Sequence, residues 1–125
     1  VDNLTKTAAV EWGKSGVRVN CVAPGWIISS GMDTYSGPVA EFIIPNLSSN
    51  VPLQRMGTES EVSSAIVYLL SEAANFVSGM TVRIDGAASQ GTRVFPLSSA
   101  NNSESYNGFH RAFIPEVLKK KEDKK

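Results

Sequence analysis

The run Val17-Arg18-Val19-Asn20-Cys21-Val22-Ala23 is β-branched and largely apolar, and Pro24-Gly25 stops it at once. A strand-type run without clean polar alternation is buried on both faces, as strands of parallel sheets are. Parallel strands are joined by crossovers, most often helical, so the segments on either side decide the fold class.

Both flanks read as helices. From Val1 to Gly16, Val1, Leu4, Ala8 and Trp12 share one stripe, while Asp2, Lys6, Glu11 and Lys14 stay off it. Asp2 and Lys6 form an i,i+4 pair, and Gly16 stands where a left-handed C-terminal cap belongs. No capping residue precedes this helix, which is read as cut into and not begun. Further on, Thr58-Glu59-Ser60-Glu61 is a capping box. The helix it opens is expected to turn Val62, Ala65, Ile66, Leu69 and Leu70 inward. Ser78-Gly79 then leads into Met80-Thr81-Val82-Arg83-Ile84, closed by Asp85-Gly86. Two parallel strands, 17–23 and 80–84, are expected side by side in an α/β arrangement with helices packed on them. Two strands make no viable parallel sheet alone, so the pattern is that of half a fold.

From Trp26 to Val51 the chain is irregular, with Gly31, Gly37, Pro38 and Pro45. Only Val39 to Leu47 has room for a short helix, broken or ended by Pro45. A connection of this length within a compact domain is a lid or binding loop. After Ala88 the character changes: residues 89–110 are rich in Ser, Asn and Gly, which implies an extended polar arm. Phe113 to Leu118 is read as a brief helical turn, and Lys119 to Lys125 as a solvated charged tail.

Composition narrows the function classes. The 125 residues carry 12 basic and 12 acidic side chains, which excludes a generally basic nucleic-acid binder. The longest apolar run, Ala65 to Leu70, is too short to cross a bilayer. Cys21 is the only cysteine, so no internal disulfide or thiolate metal cluster is expected. The chain has no GxGxxG, no P-loop and no paired His or Cys spacing, and we expect no metal site. His110, the sole histidine, lacks any nucleophile-elbow companion and reads as an exposed loop residue. The sequons at Asn3, Asn46 and Asn101 are read as chance matches. With no secretory signal at Val1 and no peroxisomal address at Asp123-Lys124-Lys125, a cytoplasmic protein is expected.

One place invites a ligand: Ala23-Pro24-Gly25-Trp26-Ile27-Ile28-Ser29, just past the carboxyl end of the buried strand. Open parallel sheets bind ligands there. Pro24 ends the strand, Gly25 removes a β-carbon so that a ring or phosphate can approach, and Ser29 offers a hydroxyl. Alone, the Pro-Gly pair is also an ordinary turn.

With its neighbours this segment resembles the second half of the short-chain dehydrogenase/reductase family. The resemblance rests on Asn3-Leu4-Thr5-Lys6 through Glu11-Trp12, then Gly16 to Gly25, Pro52-Leu53-Gln54-Arg55-Met56-Gly57, Leu69-Leu70-Ser71, and Ser78 to Gly86. It covers residues 1–87. Within the family, Glu61-Val62-Ser63-Ser64 and the polar arm are most similar to the trans-2-enoyl-CoA reductases, a peroxisomal branch with bacterial relatives.

The resemblance implies a Rossmann-type doubly wound parallel sheet, of which residues 1–87 supply the C-terminal half, followed by an arm over 88–125. It also implies NAD or NADP as cofactor, a small-molecule substrate with neither nucleic acid nor membrane as partner, and a homotetramer. The expected cofactor contacts are Pro24, Gly25, Ile27 through its backbone, and Ser29. The expected substrate walls, in a lid over 26–51, are Trp26, Met32, Tyr35 and Phe42, although plain packing accounts for these side chains equally well. No catalytic residue is expected in this chain: the family's glycine-rich loop and Tyr/Lys/Ser group correspond to positions upstream of Val1. The 125-residue chain alone is therefore expected to be inactive. The implied reaction is hydride transfer to or from an enoyl-thioester, with two alternatives: an alcohol/carbonyl dehydrogenase of the same family, or a non-catalytic remnant that only oligomerises.

Overall fold

A computed structural model describes residues 1–91 and 102–106. Arg93, His110, Arg111, the turn expected at 113–118 and the charged tail lie outside the described residues.

The N-terminal helix α1 spans Asp2–Gly13, and Lys6 closes on Asp2 at 2.7 Å. Its end is tied by Gly16, at φ 75°, and by a bond from the Val17 amide to the Trp12 carbonyl. The buried face of α1 is Thr5 and Ala8, not the full expected stripe: Val1, Leu4 and Trp12 are exposed. Two short ladders offer too little surface to cover a whole apolar stripe, and the small residues take the contact.

Strand β1, Cys21–Pro24, pairs in parallel with β4, Thr81–Ile84, placing Cys21 opposite Thr81 and Pro24 opposite Ile84. The two expected strands are thus neighbours in one sheet and parallel. They start later than 17–23 and 80–84, and β1 runs one residue further, to Pro24. Ahead of them the Asn20 side chain bonds beside main-chain bonds from the Gly79 amide to the Val19 carbonyl at 2.7 Å and from the Cys21 amide to the Met80 carbonyl at 2.8 Å. The Asn20 amide donates to the Val77 carbonyl at 2.8 Å, while its oxygen accepts from the Met80 amide at 3.1 Å. Arg18 reaches away to the Leu69 carbonyl at 2.7 Å and the Ser71 carbonyl at 3.5 Å. It thereby satisfies orphan carbonyls at a helix C-terminus, where a cation is also favoured by the dipole.

That helix is α3, Glu59–Leu70. Its capping box forms as expected: Thr58 Oγ1 accepts from the Glu61 amide, and the Glu61 carboxylate accepts from the Thr58 amide at 2.9 Å. Its inward side is Ser60 and Leu69, with Val62 and Ala65 half-buried. Ile66 and Leu70, expected inside, are exposed.

A second parallel pair went unread in the sequence. β2, Ile27–Ile28, pairs with β3, Gly57–Thr58, so the stretch between residues 28 and 57 leaves from and returns to one ladder. Between them the chain is more helical than its composition implies. A π-turn over Val39–Ile43 runs into α2, Ile44–Asn46, and on through a tight turn to Asn50. Pro45 would clash with the carbonyl four residues back in a regular helix, and the wider turn, closed by the Ile44 amide on the Val39 carbonyl, absorbs it. Ile28, Ile44 and Met56 form the buried cluster, with Met32 and Leu47 packed against it.

Two predictions follow from this packing. A β-carbon on Gly25 would lie 2.6 Å from Asp85 Cβ and 2.8 Å from Asp85 Cα. Gly25→Ala should destabilise the full-length polypeptide by about 1–3 kcal/mol through backbone displacement, read from urea unfolding; an unchanged midpoint would refute the contact. The second concerns Glu61. Burial raises its carboxyl pKa, but hydrogen bonds from Arg55, then from the Thr58 and Tyr106 amides, outweigh this and hold it below the ordinary glutamate value. A depressed pKa gives stability that is present above the unfolded value, about 4.3, and lost as pH falls through the folded value. Glu61→Gln should therefore flatten the acid limb of the stability curve between about pH 5 and pH 3, measured as thermal midpoint against pH.

Candidate functional site

The parallel ladder brings the carboxyl ends of β1 and β4 to one edge, and a cleft of about 440 Å³ opens there. Ala23, Pro24, Gly25 and Trp26 line it from β1, and Arg83, Asp85, Ala88 and Ser89 from β4 and the turn after it. The volume falls within the usual range for small-molecule sites. The position is the one where open α/β sheets take their ligands.

Gly25 has a structural duty here. Its amide continues the ladder to the Ile84 carbonyl at 3.0 Å, and its missing β-carbon lets Asp85 sit against it. Asp85 in turn organises the floor of the cleft. Its carboxylate accepts from the Ala87 amide at 2.9 Å, the Ser89 amide at 3.1 Å and the Ser89 hydroxyl. The Ser89 hydroxyl, and after it the Ser89 and Ala87 amides and the Arg83 charge, outweigh burial and hold Asp85 below the ordinary carboxylate value. Asp85 is therefore a fixed anion near neutral pH, suited to orienting a turn and not to exchanging protons.

Among the expected site residues, the structure brings Pro24, Gly25 and Trp26 together in the cleft. Ile27 lies in β2 opposite Gly57, with its Cδ1 only 2.7 Å from where a Gly57 β-carbon would stand. Ser29 is half-buried; its carbonyl accepts from the Met32 amide at 3.0 Å, and its hydroxyl has no partner among the described residues. Met32 packs on the Ile28–Ile44–Met56 cluster. Tyr35 and Phe42 are exposed and do not line the cleft, and Trp26 is half exposed at its rim. Arg83, Asp85, Ala88 and Ser89 were not singled out as site residues. The signal available was the register itself, since pairing Pro24 with Ile84 necessarily sets Gly25 beside Asp85.

A second cavity, about 260 Å³, lies between Val51, Leu53, Arg55 and Glu61 on one side and Arg83 to Ala87 on the other. Here Arg55 forks onto Glu61 through Nη1 and Nη2 at 2.9 and 2.7 Å, a bidentate ion pair with both side chains largely shielded from solvent. Neither cavity holds three His, Cys, Asp or Glu side chains placed to bind a metal ion, among the described residues.

Comparison with known proteins is consistent with this geometry. The family model described as enoyl-(acyl carrier protein) reductase matches residues 1–89. The peroxisomal 2,4-dienoyl-CoA reductase of Rattus norvegicus is 40% identical over 89 residues, which is 70% of this chain and 30% of that protein. The 3-oxoacyl-[acyl-carrier-protein] reductase FabG of Staphylococcus aureus is 34% identical over 86 residues, covering 69% of this chain and 33% of its own. Among solved structures, the citronellol catabolism dehydrogenase AtuB of Pseudomonas aeruginosa PAO1 is 60% identical at a TM-score of 0.54, over 71% of this chain and 31% of that one. A 4-hydroxyisoleucine dehydrogenase mutant complexed with NADH and succinate superposes at a TM-score of 0.64 with 31% identity, over 74% and 37% of the two chains. The chain spans about a third of the length of the curated relatives it matches. Its parallel α/β architecture is the Rossmann type of these dehydrogenases, and the chain belongs to the short-chain dehydrogenase/reductase family.

Proposed function

We propose that this chain is the C-terminal part, with residues 1–87 in the dinucleotide fold, of an NAD(P)-dependent oxidoreductase acting on a substrate with an apolar chain, of which an enoyl-thioester is the first choice. The observation that carries the reading is the cleft at the joined ends of β1 and β4, flanked by an apolar lid. The dinucleotide, when bound, supplies or accepts the hydride.

The residues present suit one end of such a ligand. Pro24 and Gly25 offer a flat, narrow approach in the cleft and Arg83 a positive charge at its wall, while the Ile27 backbone and the Ser29 hydroxyl, uncommitted among the described residues, follow on the same segment. The carboxylates of Asp85 and Glu61 are committed to hydrogen bonds and held below the ordinary carboxylate values, so neither is suited to acid–base work. Ile28, Ile44 and Met56 keep the lid's inner side dry, while Trp26, Tyr35, Phe42 and Ile43 present apolar surface outward. Pro24 and Trp26 give the cleft an apolar rim, which suits hydrocarbon better than a sugar, whose hydroxyls need polar partners.

Alcohol or aldehyde oxidoreduction on an aliphatic chain is the second reading, favoured by the 60% identity to the citronellol catabolism dehydrogenase. A full-length parent offered a trans-2-enoyl-thioester and, separately, citronellol or an aliphatic aldehyde, with nicotinamide absorbance followed, separates the two. Turnover of the thioester alone supports the first reading, and of the alcohol or aldehyde alone the second; turnover of a sugar with neither overturns both.

The cofactor contact is tested apart from substrate. Ser29→Ala should raise the dissociation constant for NADH or NADPH about tenfold, the effect of one hydrogen bond to a charged group, with thermal stability unchanged. Lower stability at unchanged affinity would make Ser29 a structural residue.

A further inference from the structure

Residues 102–106 lie beyond the part of the chain matched by the family model, and they return to a single place in the fold. Ser103 Oγ accepts from Arg55 Nε at 2.8 Å. The Tyr106 carbonyl accepts from Thr58 Oγ1 at 3.0 Å, and the Tyr106 amide donates to Glu61 Oε1 at 3.3 Å. Their partners are already joined to one another. Arg55 holds Glu61 with both terminal nitrogens and turns Nη1 onto the Met56 carbonyl at 3.2 Å. Thr58, fully buried, uses its hydroxyl twice, accepting from the Glu61 amide and donating to Tyr106.

The network sits on the limb by which the 26–51 connection returns. Arg55 precedes Met56, which belongs to the cluster with Ile28 and Ile44, and Thr58 lies in β3, paired with Ile28 of β2. A shift of residues 55–58 therefore displaces both the ladder that closes the lid and the apolar cluster beneath it. Charge-assisted bonds to a shielded Arg–Glu pair hold geometry better than neutral surface contacts. Two of these contacts use the main chain of Tyr106, so the hold depends on where that backbone lies.

We infer that residues 102–106 are a strap that holds the return limb of the lid, with Ser103 and Tyr106 as positioning residues for substrate closure. The link to substrate rests on the lid reading given above; the docking of the strap does not. The test is made in the full-length polypeptide that carries this chain, with hydrogen exchange of the 51–58 amides and steady-state kinetics measured side by side. Tyr106→Pro removes the amide that donates to Glu61, and Ser103→Ala removes the acceptor for Arg55.

Exchange over 51–58 is expected to quicken about tenfold in Tyr106→Pro, one hydrogen bond's effect, and by less in Ser103→Ala. KM for the apolar substrate should rise with kcat and the cofactor KM unchanged, and Ser103→Thr should restore it. Exchange unchanged in Tyr106→Pro overturns the strap; if that variant fails to fold, unchanged exchange in Ser103→Ala overturns it instead. Quickened exchange with an unmoved substrate KM overturns the coupling to closure. Quickened exchange in a parent that turns over no apolar substrate supports the docking and defeats the functional reading alone.

Discussion

Four residues of parallel pairing, Cys21–Pro24 against Thr81–Ile84, join parts of the chain separated by some sixty positions, and the rest of the arrangement depends on that ladder. Parallel pairing sends both strands in the same direction, so their carboxyl ends open on one edge and the turns that follow face each other. The cleft between Pro24-Gly25-Trp26 and Asp85 to Ser89 is the gap between those two turns. Loop-closure entropy over so long a separation is offset only if the ends meet closely, and Gly25 allows the closest approach available. The same pairing brings α3 over the sheet, where Arg18 completes its C-terminus.

Around this ladder the polar side chains act mostly on backbone. Arg18, Asn20, Thr58, Glu61 and Asp85 each satisfy main-chain groups that helix ends or turns would otherwise leave unpaired. The same kind of bonding accounts for the depressed carboxyl pKa values: Glu61 accepts from the Arg55 guanidinium and then from the Thr58 and Tyr106 amides, Asp85 from the Ser89 hydroxyl and then from the Ser89 and Ala87 amides, and each bond favours the charged form. The carboxylates near the candidate site are structural anions, and the chemistry they permit is binding and alignment.

What could be read from the residues was what depends on near neighbours. Gly16 as a left-handed cap, Thr58 with Glu61 as a capping box, and the two β-branched runs were legible because each signal is complete within a few positions. The β2–β3 ladder was not, since Ile27-Ile28 and Gly57-Thr58 are two residues long and show no period. The faces of α1 and α3 were misassigned at Leu4, Ile66 and Leu70 because periodicity identifies an apolar stripe without saying what covers it. In the site, Pro24, Gly25 and Trp26 were legible as a strand end. Their partners Arg83, Asp85, Ala88 and Ser89 required the pairing register, which no local pattern carries.

The π-turn at Val39–Ile43 has a consequence for how this region tolerates change in length. A π-turn holds one residue more per turn than the helix that follows it, so it is in effect an insertion stored inside a helical segment. Removing any one residue there would let the ring close as an ordinary turn with the downstream helix near its present register, and Pro45 would then meet the carbonyl it now avoids. Single-residue deletions between 39 and 43 are therefore far from neutral, whereas the exposed stretch from Thr34 to Gly37 can absorb them. Natural variation in loop length should accumulate on the near side of Pro38 and stop there.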